Sequence, residues 1–229
     1  MHALFNNISD KDKDLAIEDL IHDSTPRPSF FFLVILSVLM ATFGLLINNA
    51  SVVIGSMLIA PILSPVLSLA LGVVMADSMI ISRSFYTLLK SVLFGVGLAA
   101  LATWIFGATA DFNNPEIASR VEPSVTYLAI AVVAGLATAY ARVKPDLNET
   151  LPGTAIAVAL VPPLAVTGIG IATFNWAVTT GSLLLFVLNA IGIIFASMFM
   201  FSLMNLYNKR AVANETAKEE DAALKEESK

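Results

Sequence analysis

The constraint that most limits this chain is where its charges are missing. No Asp, Glu, Lys or Arg occurs from residue 28 to 76, from 91 to 110, from 123 to 141 or from 150 to 208. A helix rises about 1.5 Å per residue, so about 20 apolar residues cross a hydrocarbon layer roughly 30 Å thick. The two long runs have room for two crossings each and the short ones for one each, which predicts six. Of 229 residues, 57% are hydrophobic and 14% charged, whereas soluble domains carry roughly 25% charged residues. Lipid is therefore the expected solvent. An open sheet is excluded there because its edge groups go unpaired, and the alternation of a barrel strand is absent.

Turn chemistry divides the long runs. Asn48-Asn49 and Phe174-Asn175-Trp176 interrupt them, and Asn favours turns because its side chain bonds nearby backbone. The expected fold is an all-α integral membrane protein with spans near 30–47, 51–76, 85–108, 124–141, 151–173 and 177–206. The membrane region, 29–208, lies between a tail of residues 1–28 and a charged tail of residues 209–229. Ser9–Asp23 is expected to form a short helix with Leu15, Ile17, Leu20 and Ile21 partly on one face, either interfacial or docked. The second tail reads as a solvated helix or as disorder. Residues 1–28 lack the apolar core of a secretory signal. With six spans, Arg27, Arg83, Lys90, Arg142, Lys144, Lys209 and Arg210 share one side, and Arg120 alone stands on the other. Positive charge marks the inner side, so both termini are expected in the cytoplasm and the chain in the inner (plasma) membrane. The net charge of −5 comes largely from the tails and gives no reason to expect nucleic acid.

Two spans carry prolines in their interiors, Pro61 and Pro65 in the second and Pro162 and Pro163 in the fifth. Each proline removes a backbone donor and crowds the carbonyl four residues earlier, so both spans are expected to be broken, near the bilayer midplane. A shift of the chain along itself brings Gly55 onto Gly153, Pro65 onto Pro163 and Gly72 onto Gly170, and lays spans 1–3 on spans 4–6. Identity beyond that punctuation is poor. Two repeats, about 30–110 and 124–208, follow, and three spans per repeat would make them inverted. Inverted halves with discontinuous helices are a recurring design of transporters.

The stretch from Asn48 to Pro65, followed by Ala76-Asp77 and Arg83, resembles an uncharacterised hydrophobic-domain family of bacterial and archaeal membrane proteins. The stretch from Leu151 to Pro163 resembles the same family. The resemblance covers residues of about 30–206; it implies a multi-span membrane domain and no established activity.

An enzyme is not expected. There is no Cys, His2 and His22 lie in a polar tail, and no metal or cofactor set falls within the spans. Nor does an acid or base lie deep in a span, which argues against a carboxylate proton relay. What remains is hydroxyls, amides and freed backbone: Ser56, Pro61, Ser64, Pro65 and Ser68 in the second span, Thr154, Pro162, Pro163 and Thr167 in the fifth, and Asn189 in the sixth. Most membrane hydroxyls bond their own helix, the reading taken for Ser37 and Thr42, whereas Ser64, between two prolines, is the strongest candidate. Asn189 must find a partner, on another helix or on a solute. Asn48 and Asn49 serve a turn or a gate. Small residues at Gly95, Ala99 and Thr103 and at Ala131, Gly135 and Ala139 let helices approach closely, within or between chains; a homo-oligomer is expected. The leading function is a transporter or channel for an unidentified small solute or ion, using the two breaks. The alternative is a non-transporting scaffold, sensor or accessory subunit.

Overall fold

The computed structural model of the chain describes residues 8–107, 111–112, 114–144, 147 and 152–227, and at 152–159 and 227 the backbone alone. Its helices are α1 Asp10–Asp23, α2 Pro28–Leu46, α3 Ala50–Ile59, α4 Leu63–Val74, α5 Ser78–Phe106, α6 Pro115–Ala118, α7 Val125–Val143, α8 Pro152–Ala172, α9 Trp176–Leu203 and α10 Arg210–Glu227, with a 3-10 turn at Leu206–Lys209. No strand occurs among the described residues. Four of these helices, α2, α5, α7 and α9, are long and apolar enough to cross a membrane, and the pair α3–α4, bent by 52°, makes a fifth candidate. The part of α8 with described side chains, Leu160–Ala172, is apolar but too short to qualify by itself.

The expected break in the fifth span is corrected. α8 runs as one helix from Pro152 to Ala172 with Pro162 and Pro163 inside it. Both prolines still withdraw donors from the preceding turn. However, residues 160–170 are buried on every side, by α2, α3, α5, α7 and α9, so no direction is open for a bend. The second span has no such enclosure. Leu58 and Ile59, at the end of α3, are 58% and 37% exposed, and Ala60 takes the extended backbone (φ −72°, ψ 119°) that a following proline favours.

Three corners share one construction. At Gly44–Asn49, Gly72–Asp77 and Gly170–Asn175, the last residue's amide donates to the glycine carbonyl at 2.8, 2.9 and 2.9 Å. The residue before it, Asn48, Ala76 or Phe174, is left-handed at φ 55°, 50° or 53°. That is a Schellman ending whose final residue also caps the next helix, since Asn49, Asp77 and Asn175 each accept amide hydrogen bonds there. A Cβ on any of the three glycines would lie 2.9, 3.0 or 2.7 Å from the amide nitrogen of Val53, Ile81 or Thr179, so glycine permits the tight reversal. The shift that superposes Gly72 on Gly170 also superposes Ala76 on Phe174 and Asp77 on Asn175. These two matched corners lie at opposite ends of the bundle. Asp77 bonds α10, whereas α9, begun by Asn175, seats Gly181 against the carbonyl of Val121. The first corner joins the latter end, where the Asn114 amide donates to Leu45 O at 2.9 Å.

Small residues set the interhelical contacts. Gly168 on α8 meets Ala99 and the Val96 carbonyl of α5, Gly95 of α5 faces Leu164, and Gly135 of α7 lies against Ile193 and Ala196 of α9. Both small-residue stripes are thus used within the chain. Large apolar side chains such as Leu93, Phe94, Val133, Phe195 and Phe199 cover the outside, consistent with a lipid environment. Enlarging Gly135 or Gly168 to Leu is expected to destabilise the protein by about 1–3 kcal/mol or more, as overpacking does. Thermal unfolding in detergent measures this. Gly97, with nothing within 4 Å of a built Cβ, is the control, and an equal loss from Gly97→Leu would refute the packing account.

Candidate functional site

The break of the second span is built by two prolines with different effects. Pro61 follows Ala60 and ends α3, because it has no N–H for the carbonyl of Met57. Pro65 sits in the first turn of α4, where a missing N–H costs nothing. One freed acceptor is satisfied from the neighbouring helix: the Ser37 hydroxyl donates to the Ser56 carbonyl at 2.7 Å. Ser37 was expected to bond its own helix, and this contact corrects that reading. Thr42 does bond its own helix, donating to Val38 O at 2.8 Å, and Ser56 likewise bonds Val53 O at 2.6 Å.

Ser64, the strongest sequence candidate, lies at the start of α4 and accepts a hydrogen bond from Arg142 Nη2 at 3.2 Å. The same nitrogen donates to Asp23 Oδ2 at 2.8 Å. The last turn of α7, the end of α1 and the break of the second span therefore converge on one guanidinium. They line a cavity of about 410 Å³ together with His22, Arg27, Pro61 and the apolar side chains of Leu33, Leu58 and Ile59. The cavity lies at the charged end of the bundle, beside His22, Asp23 and Arg27, and no described side chain of α8 lines it. Neither Pro162 nor Pro163 lines this cavity.

Pro163 and Asn189 come together at a second cavity of about 250 Å³, with Arg120, Tyr127 and Leu185. This one lies toward the end that carries residues 119–127. Neither Pro65 nor Pro162 lines either cavity. Ser68 is buried and receives a hydrogen bond from Ser84 at 2.9 Å. Thr167 donates to Pro163 O at 2.8 Å and lies 2.9 Å from the Ser182 hydroxyl. The shift that matches the corners carries Ser84 onto Ser182, so the two matched serines each make a hydroxyl contact with the preceding apolar helix. Asn48 and Asn49 occupy an exposed corner and serve the turn. The side chain of Thr154 lies outside the described residues.

Sequence reasoning missed the ionic cover over the end that holds Arg142. Asp77, 2% exposed, caps α5 through Oδ1 and accepts from Arg210 Nε and Asn214 Nδ2 through Oδ2, both at 2.8 Å. Arg27 pairs with Glu220 at 2.7 Å, Arg83 with Asp221 at 3.0 Å and Lys209 with Asp14 at 3.0 Å. The second tail was expected as a solvated helix or disorder; its described part, to Glu227, is a docked helix with Ala213 and Ala217 fully buried. α1 docks beside it through Ala16, Ile17, Leu20 and Ile21, while Leu15 faces outward. The available signal was the i, i+4 spacing of Ala213 and Ala217 in an otherwise charged helix.

Burial alone would raise the Asp77 carboxyl, but hydrogen bonds from Arg210, Asn214 and the Ile80 amide, with the Arg210 charge, hold it below the ordinary carboxylate range. A depressed folded-state value contributes stability above the unfolded-state value, and that stability is lost as pH falls through the folded-state value. Release of α10, read by limited proteolysis, is therefore expected on acidification below about pH 4. Asp77→Asn should release it already at neutral pH. An Asp77→Asn chain protected like the parent at every pH would refute the role given to this carboxylate.

The family described as "Domain of unknown function (DUF389)" matches residues 57–195. An uncharacterized protein of Methanocaldococcus jannaschii, MJ0678, is 32% identical over 170 residues, which is 74% of this chain and 52% of that protein. The chain spans about half the length of this curated relative. No solved structure matches it.

Proposed function

The chain belongs to the DUF389 family, and we propose that this member is a transporter or channel for a small solute or ion whose pathway begins at the break of its second span. The observation that carries the reading is the cavity at that break, where Ser64, Arg142 and Asp23 meet beside unwound backbone at residues 60–62. Polar groups and a broken helix inside an apolar bundle are costly, and in membrane proteins such irregular backbone is tolerated where it lines water or a solute. The second cavity, at Pro163 and Asn189, supplies the other end of the pathway, and the buried stretch of α8 is the barrier between them.

We read the architecture as six spans in two inverted three-span repeats. The matched corners at opposite ends and the Ser68–Ser84 and Thr167–Ser182 contacts support this. In this reading α8 is a crossing and both termini lie in the cytoplasm, on the side that carries Arg27, Arg142 and Arg210. The rival reading, a non-transporting scaffold, sensor or accessory subunit, has its own observation in its favour: residues 160–170 are fully enclosed.

The chain has no cysteine, so single Cys variants at Ala60, at Val166 inside the barrier and at Val133 on the apolar flank report access directly. With a membrane-impermeant thiol reagent, Ala60→Cys is expected to label from the side of the termini, with Val133→Cys silent. Labelling of Val166→Cys that changes during solute-flux screening would support transport. Protection of both Ala60→Cys and Val166→Cys, in folded protein that labels once denatured, would favour the scaffold.

A further inference from the structure

We propose that the cavity at the break of the second span is an oxyanion site: it takes a phosphate- or carboxylate-bearing ligand on Arg142 and Ser64, displacing Asp23 from the guanidinium. The inference rests on the reading of this cavity as one that ligands reach.

Charge gives the sign of the ligand. Among the described residues, two guanidiniums, Arg27 and Arg142, line the cavity against one carboxylate, Asp23. Arg27 is held by Glu220 of α10, which is outside the lining. Of the described lining groups, a cation entering here meets two guanidiniums and one carboxylate, and that carboxylate is already bound to Arg142. An oxyanion meets the reverse.

Arg142 is only partly used. One terminal nitrogen serves both Asp23 and Ser64, and its buried Nε has no hydrogen-bond partner among the described residues. A guanidinium offers five N–H donors in a fixed fork that matches carboxylate and phosphate, so capacity is left for a second acceptor. Ser64 presents a hydroxyl on the same nitrogen, and a hydroxyl can donate to an oxyanion as well as accept. The start of α4 opens on the same space, and Ile62 gives it no side-chain cap, which adds partial positive charge beside the guanidinium.

Asp23 is suited to exchange. Its side chain is 41% exposed, and a half-exposed carboxylate holds an arginine weakly because water competes for both. It ends α1, so it can turn to solvent without disturbing a span. An incoming oxyanion replaces the carboxylate with like charge, leaving the guanidinium compensated.

The same chemistry has two sources. Leu33, Leu58 and Ile59 line the cavity and are exposed on the apolar flank, which suits the phosphate of an anionic phospholipid whose chains lie along that flank. His22 and Asp23, exposed lining residues at the charged end, leave room for a free oxyanion from water. The full chain carrying Ala60→Cys separates them. Its thiol-labelling rate is measured in neutral detergent against inorganic phosphate, with chloride at equal ionic strength as control, and in bilayer discs with or without phosphatidylglycerol.

Protection by phosphate but not chloride is expected for a soluble ligand, and protection by phosphatidylglycerol alone for a lipid headgroup. In either arm, Arg142→Gln should raise the half-protecting concentration about tenfold or more, the loss of a charge-assisted hydrogen bond. Asp23→Asn should lower it, because the resident competitor is gone. Should Arg142→Gln fail to fold, Asp23→Asn and Ser64→Ala, lowering and raising it respectively, carry the test. Labelling that proceeds unchanged with both anions overturns the oxyanion site and leaves the accessible cavity standing. An unlabelled cysteine in folded protein overturns both. Weaker protection in Asp23→Asn would assign the pair to structure alone and also overturn the proposal.

Discussion

A backbone group freed inside an apolar bundle has no water to turn to, and that single demand explains most of what is irregular here. Pro61 and Pro162–Pro163 make the same demand on paper, and the surroundings answer it differently. Around residues 160–170 of α8 the neighbours close on all sides and the helix continues unbroken. Around α3 one flank is open, Ala60 swings to extended backbone, and the Ser37 hydroxyl crosses from α2 to reach the Ser56 carbonyl. The cavity with Arg142 exists because the second span was allowed to yield.

The corners answer the same demand at the helix ends. One residue ends a helix by donating to its glycine and starts the next by capping it, so two sets of orphan groups are settled within a few residues. Ala76 and Phe174 hold left-handed backbone without glycine's freedom, a strain of order 1 kcal/mol or more that the surrounding hydrogen bonds offset. That two such corners match under one shift of the chain while facing opposite ways is the strongest internal symmetry of the molecule.

Much of this was legible in the sequence. Charge-free runs gave the apolar helices to within a few residues at most ends, Asn49 and Asn175 announced their turns, and Ser64 stood out between its prolines. The paired prolines of α8 misled, because two adjacent prolines are a stronger local breaking signal than Pro61 and only tertiary enclosure overrides them. Arg142 and Asp77 were read as charges near the membrane surface. Their role depends on Asp23 and on Arg210, residues more than a hundred positions away in sequence, and periodicity carries no information at that range. The docked helix α10 was hidden by its charge, since Ala213 and Ala217 bury too little apolar area to stand out.

A helical stretch enclosed on every side, as residues 160–170 are, has an evolutionary consequence. From Leu160 to Gly170 every side chain meets another, so a change in volume at any of these positions must be matched by a change on α5, α7 or α9. The segment is therefore expected to drift slowly and in step with its partners, Gly168 with Ala99 above all, while the outer faces of α5 and α9 exchange one apolar residue for another freely. Paired substitution, rather than invariance, would be the trace that this helix leaves among relatives.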